Sequence, residues 1–271
     1  MKKKVLVLDI DGTLTNSKKE ITPATLAAVS ELQRRGHVVV LASGRPTAGL
    51  REMTARLHFA ENGGYIISYN GGCVTHVPTG ETVFKNVLPD YVPQWMHHYA
   101  LEHEMGMCSY LGDSMLMGTP SNRYLEYEAR INGIGITPVE SFAPYQHTDL
   151  YKVLMTATPT RAAELEKRLA HRFIGRLSIY RSEPYFIEVM PRGVNKAAAI
   201  AGLLERLGLE REDTIACGDG LNDLTMIRYA GLGVAMGNAQ PAVKAEADLV
   251  TLTNDEDGLV PVIQRYILDQ D

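Results

Sequence analysis

The chain reads as an α/β protein, a doubly wound parallel-sheet core interrupted by an α+β insertion. Continuous apolar runs at residues 5–8 and 37–42 have the composition of strands buried on both faces, as in a parallel sheet. Segments of helical period alternate with them, which is the β-α-β rhythm of a doubly wound fold. That rhythm breaks off near residue 83 and returns after Pro191. A chain of 271 residues, 45% apolar and 22% charged, can bury one large core or two moderate ones. The expected organisation is a discontinuous core, residues 1–82 and 191–271, with an inserted α+β domain over residues 83–190.

The first strand, Val5 to Leu8, runs straight into Asp9 and Asp11. Alternation sends both carboxylates to one side, and Gly12 lets the chain turn sharply beneath them. Thr22 and Pro23 have the form of an N-cap with proline in the first turn. Leu26, Val29 and Leu32 form the inward stripe of that helix, and Gly36 is placed to end it. Residues 37–42 make the second strand, ending at Ser43, Gly44, Arg45 and Pro46. Residues 50–58 look helical, and residues 65–69 form a third strand before Asn70, Gly71 and Gly72.

Within the insertion the apolar runs shorten and most of the aromatic residues gather. Residues 91–104 and 160–172 suit amphipathic helices, and residues 152–157, 177–181 and 185–190 read as strands of an antiparallel sheet. His97 and His98 are adjacent, so they point to different helix faces; with His103 they suggest a solvated helix rather than a metal site. Beyond Pro191, Asn195 caps a helix over residues 196–207 that Gly208 closes. A strand at 214–217 then runs into Gly218-Asp219-Gly220-Leu221-Asn222-Asp223. A helix at 224–230, a strand at 233–236, a short helix opened by Pro241 and a strand at 248–252 complete the pattern.

Net charge is -5, which argues against a nucleic-acid duplex or an anionic membrane as partner. No apolar run approaches the roughly 18–20 residues of a spanning helix. Lys2, Lys3 and Lys4 resemble the start of a secretory signal, but the apolar segment behind them stops at Asp9, so a cytoplasmic protein is expected. Three widely spaced cysteines, Cys73, Cys108 and Cys217, fit a reduced compartment without a disulfide framework. Cys217 reads as a small buried hydrophobe at a strand end rather than a nucleophile.

Four polar sites fall at comparable places, each at the carboxyl end of a core strand or the start of a helix: Asp9 with Asp11, Ser43, Lys196, and Asp219 with Asn222 and Asp223. Open α/β sheets bind their ligands at that edge. Like charges about 4 Å apart repel by about 4 kcal/mol at an effective dielectric of 20, so Asp9, Asp11, Asp219 and Asp223 gathered there call for a divalent cation. Oxygen ligands without an ordered histidine or cysteine set favour Mg²⁺ over zinc. One lysine, one hydroxyl and backbone amides in glycine-containing turns, such as that at Gly12, suit a phosphate dianion on that metal.

At these residues the chain resembles the haloacid dehalogenase-like superfamily in its phosphatase branch. Asp9-Ile10-Asp11-Gly12-Thr13, Ala42-Ser43-Gly44-Arg45, Lys196 and Gly218–Asp223 match its four motifs in order. The insertion between Ser43 and Lys196 takes the position of a C2-type cap on a Rossmann-like core. Residues 233–239 and 253–258 resemble the Cof-type (IIB) sugar-phosphatase subfamily. One departure is small: Ala197 follows Lys196 where many relatives have Gly.

The resemblance implies a Mg²⁺-dependent phosphatase acting on a small phosphorylated metabolite, with sugar phosphates the leading class. Asp9 is then the nucleophile that forms an aspartyl-phosphate, and Asp11 the general acid and base. Asp9, the Asp11 backbone carbonyl, Asp219 and, less directly, Asp223 are implied to hold the metal. Ser43, Lys196, Asn222 and the backbone near Ile10, Gly12 and Gly44 are implied to hold the phosphoryl group, with Arg45 and Asn70 as further substrate contacts. A phosphomutase of the same superfamily and a non-catalytic phospho-acceptor protein remain as alternatives.

Overall fold

In the computed structural model the described residues are 3–270, so Met1, Lys2 and Asp271, which the expected core includes, lie outside them. The chain forms two compact units. The first takes the described residues of Met1–Gly44, Arg51–Phe84 and Asn195–Asp271; the second takes Arg45–Leu50 and Lys85–Val194.

The first unit begins with β1 (Val5–Leu8), α1 (Pro23–Arg34), β2 (Val38–Ala42), α2 (Arg51–Arg56), α3 (Phe59–Asn62), β3 (Tyr65–Ser68), β4 (Cys73–His76) and β5 (Glu81–Lys85). Thr22 caps α1 by accepting a hydrogen bond from the Thr25 amide, and Val29 and Leu32 are fully buried beneath the helix. The helix expected at 50–58 is broken: His58 adopts φ +53 and starts the separate α3. The second unit follows with α4 (Tyr91–Glu102), β6 (Gly106–Leu111), β7 (Ser114–Met117), α5 (Arg123–Asn132), β8 (Gly135–Pro138), β9 (Val153–Thr156), α6 (Pro159–Arg172), β10 (Leu177–Glu183) and β11 (Phe186–Pro191). The first unit then resumes with α7 (Lys196–Leu207), β12 (Thr214–Gly218), α8 (Leu224–Tyr229), β13 (Leu232–Ala235), α9 (Pro241–Lys244), β14 (Leu249–Val250) and α10 (Leu259–Tyr266).

The sheet of the first unit runs β14-β13-β12-β1-β2-β3-β4-β5. All neighbours from β14 to β3 are parallel, with Val5 in register with Val38 on one side and Thr214 on the other. The doubly wound core expected from the sequence is therefore present. β4 departs from it by pairing antiparallel to β3, because a short turn at Tyr69–Gly71 returns the chain at once. The chain leaves β1 toward β2 and β3 but later adds β12, β13 and β14 on the opposite side. β1 is thus the point where strand order reverses, and its carboxyl end opens into the crevice where such sheets bind ligands.

The sheet of the second unit runs β10-β11-β9-β6-β7-β8, antiparallel except for the parallel β7–β8 pair. α4 and α6 pack on it through Val92, Met96, Ala100, Ala162, Leu165 and Leu169. The solvated reading of His97 is corrected here. Its ring is 3% exposed, bonds the Gly118 carbonyl and packs edge-on to Phe142, because it shares the side of α4 that carries Met96.

Candidate active site

The site grows from the end of β1. Asp9 follows the last strand residue directly, and its amide donates to the Cys217 carbonyl of β12 at 3.1 Å. The carboxylate is 7% exposed and would be costly there alone. Lys196 meets it. The Lys196 ammonium donates at 2.6 Å to Asp9 Oδ1, to Asp223 Oδ1 and to the Ala42 carbonyl at the end of β2. It is placed by the first turn of α7, whose cap is Asn195, accepting from the Ala198 amide at 2.9 Å. Asp223 has no exposed surface, and its other oxygen accepts from the amides of Asp219 and Gly220, both at 2.9 Å. That arrangement closes the turn after β12 and aims Asp219.

Asp219 accepts a hydrogen bond from Thr13 at 3.1 Å, a residue whose part in the site the sequence reading did not single out. Gly12 adopts φ +87, and a Cβ on it would lie 2.5 Å from Asp219 Oδ2. Only glycine lets the turn after Asp11 come so close to the second acidic loop. Oxygen atoms of Asp9, Asp219 and Asp223 lie within 4.8 Å of one another. Asp11 is not in that group. Its carboxylate is half exposed and pairs with the Lys19 ammonium at 2.8 Å.

One ammonium bonds two of the three clustered carboxylates, Asp9 and Asp223, and the electrostatics show the imbalance. Burial, then the Asp223 charge, push the Asp9 carboxyl up to about 8, against the opposing pull of Lys196. Burial and Asp223 likewise push Asp219 up to about 6. Burial alone would lower the Lys196 ammonium, but Asp223 and Asp9 hold it above its ordinary value. The cluster thus carries more negative charge than its lysine offsets, and its donors near the surface are hard oxygens. These residues fit a magnesium ion.

The other candidates fall around this cluster. Ser43 is buried at the end of β2, its amide bonded to the Ile67 carbonyl at 2.8 Å and its carbonyl to the Asn70 amide at 2.9 Å. Asn70 holds φ +54, its side chain lies against Gly44, and it accepts from Asn222 at 3.3 Å. The Ile10 carbonyl accepts from the Thr15 amide and hydroxyl at 2.9 Å, which tightens the bend after Asp9. Arg45 alone is not brought into this unit; it groups with the second one. Cys217 is fully buried, and burial pushes its thiol up to about 12, consistent with the apolar reading.

A lysine-bridged carboxylate cluster thus lies at the switch point of a doubly wound sheet, where such sheets bind their ligands. The sequence profile of haloacid dehalogenase-like hydrolases matches residues 6–263, and the chain belongs to that family. A haloacid dehalogenase-like hydrolase from Bacteroides thetaiotaomicron is 41% identical, superposes with a TM-score of 0.92, and is matched over 98% of this chain and all of its own. The subclass IIB sugar phosphatase BT4131 is 27% identical with a TM-score of 0.80, over 97% of this chain and 99% of its own. The 5-amino-6-(5-phospho-D-ribitylamino)uracil phosphatase YcsE of Bacillus subtilis is 31% identical over 265 residues, 98% of this chain and 96% of its own. The chain is a phosphoric monoester hydrolase of this family, acting on small phosphorylated substrates. Among the described residues no helix is long and apolar enough to cross a membrane.

Proposed function

We propose that this phosphatase is Mg²⁺-dependent, works through an aspartyl-phosphate on Asp9, and takes sugar phosphates as its main substrate class. The observation that carries the reading is the contact of Lys196 with both Asp9 and Asp223 beside Asp219. Asp9 Oδ1 is held by the lysine, which fixes the carboxylate for in-line attack on phosphorus. The new bond joins an Asp9 oxygen to phosphorus while the bond from phosphorus to the leaving oxygen breaks. Asp11, half exposed and one turn beyond, gives that oxygen its proton and later takes one from the water that cleaves the acyl-phosphate. Ser43, Asn222 and the backbone near Ile10, Gly12 and Gly44 hold the phosphoryl oxygens, and the Lys196 ammonium beside Asp9 offsets their charge. The Asp9 and Asp219 carboxylates and the Asp11 carbonyl would hold the metal, with Asp223 bearing on it through the turn at 219–220. Bound there, Mg²⁺ supplies positive charge against the substrate phosphate.

In this reading the inserted segment, residues 83–190, is a cap that selects the leaving group, and Arg45 and Asn70 are further substrate contacts. The sugar-phosphate assignment is supported by the likeness to BT4131. A phosphate-release screen over sugar phosphates, nucleotides and cofactor phosphates, with Mg²⁺ and no bisphosphate activator, tests it. Fastest release from sugar phosphates is expected. Preference for nucleotides, or isomerised product without free phosphate, would overturn it.

A further inference from the structure

Two segments of the first unit have no part in the scheme above: the loops after β13 and β14, residues 236–239 and 252–258. Both close on the bend that carries Asp11. The Asn238 Nδ2 donates to the Gly12 carbonyl at 2.8 Å, and its Oδ1 accepts from the Asn254 amide at 3.0 Å. A carbonyl on one side and an N–H on the other fix which way this carboxamide faces. The Asn254 Nδ2 in turn donates to the Thr15 carbonyl at 2.9 Å. The bend itself is closed from within, by Leu14 N to Asp9 O at 3.2 Å and Thr15 N to Ile10 O at 2.9 Å. Its outward carbonyls, Gly12 and Thr15, are those the asparagines take.

The two loops are built to act together. The Gly237 amide bonds the Leu252 carbonyl at 2.9 Å, and a Cβ on Gly237 would lie 2.7 Å from the Thr253 amide nitrogen. Asp255 extends the contact by accepting from the Ser17 amide at 2.8 Å, and Asp257 by accepting from the Thr22 hydroxyl. The stretch from Gly12 to Thr22 is thus fastened to the far strands of the sheet at successive points.

We propose that Asn238 and Asn254 form a clamp that positions the Asp11 carboxyl for proton transfer to the leaving group. Both are positioning residues: they touch the backbone just after Asp11, at the Gly12 and Thr15 carbonyls, and none of the acidic cluster itself. The proposal rests on the reading of Asp11 as general acid. Misplacing a reacting group by about 1 Å can cost about 10²-fold, and the cost falls where the proton is needed. An alkoxide leaving group needs it and p-nitrophenolate does not.

The test compares kcat/KM for glucose 6-phosphate and p-nitrophenyl phosphate, since kcat/KM reports the first, leaving-group-dependent transfer. N238A and N254A should lose about 10–100-fold on the sugar phosphate and less than about threefold on the nitrophenyl ester. Inhibition by inorganic phosphate should be unchanged. The double variant should be no more than about threefold worse than the poorer single one, because both act on one loop. N238S and N254S replace any alanine variant that fails to fold. Equal losses on both esters, or no loss on either, would overturn the clamp. D11N separates the two levels. If it shows the leaving-group dependence and the asparagine variants do not, the clamp alone is wrong. If D11N loses both esters equally, the reading of Asp11 falls and the clamp with it.

Discussion

Lys196 Nζ lies 2.6 Å from Asp9 Oδ1 and 2.6 Å from Asp223 Oδ1, and the lysine has no exposed surface. Its third contact, with the Ala42 carbonyl, ties it to the neighbouring strand. A residue at the start of α7 therefore joins the ends of β1, β2 and β12, three strands that meet at the switch point.

Removing that ammonium should cost both stability and turnover. K196M leaves two buried carboxylates facing each other, and breaking a buried pair destabilises by about 3–5 kcal/mol. Urea unfolding in EDTA reads this directly. Loss of the positive charge that holds Asp9 beside the phosphoryl group should lower kcat by about 10²–10³-fold. A K196M protein as stable and active as the wild type would show that the contact is incidental.

Thr13 offers a milder probe of the proposed metal site. Its hydroxyl donates to Asp219 Oδ1, and partners of ligating groups are typically worth about 10–100-fold in metal affinity. T13V keeps the shape and removes the donor. Titration calorimetry should show Mg²⁺ binding weakened by about that factor, with activity restored at higher Mg²⁺ and abolished by EDTA in both proteins. Unchanged affinity would mean that the hydroxyl does not tune Asp219.

Cys108 gives a pH signature in the second unit. Burial, with the Glu128 carboxylate adding to it, holds this thiol above its ordinary value of 9.0. The folded thiol keeps its proton where the unfolded one has lost it. This contribution to stability is therefore complete below about pH 8.5 and declines as pH rises beyond it, by up to about 1.4 kcal/mol per pH unit. Urea midpoints of the wild type and C108A, followed from pH 7 to 10.5, should converge as the wild type loses its advantage. Parallel curves would contradict it.

The core was legible because its strands announce themselves by continuous burial and its helices by their caps. Asn195 and Gly208 bound α7 as their chemistry requires, and Thr22 starts α1. The insertion was less legible. β8 is a fully exposed strand containing Gly135 and Pro138, which reads as loop until β7 is beside it to pair with. β6 carries Gly106, Cys108 and Ser109 and has no alternation, because five of its six residues are buried. α10 is hard to read from sequence because it is short and holds Pro261, tolerable within the first turn, while its Val262 and Ile263 find burial near α1. At the site, the acids and the lysine stood out as residue types, but the bonds of Thr13, Asn238 and Asn254 to Asp219, Gly12 and Thr15 cross more of the chain than local patterning can show.

Covalent catalysis at Asp9 is the central claim, and rapid acid quench with a ³²P-labelled sugar phosphate tests it most directly. In the first turnover, label should appear in the protein, be released by hydroxylamine as an acyl-phosphate is, and map to the peptide containing Asp9. D11N should hold that label longer, because the base for the second step is gone, and D9N should never acquire it. A full first turnover of released phosphate with no label in the protein, in wild type and D11N alike, would contradict the account.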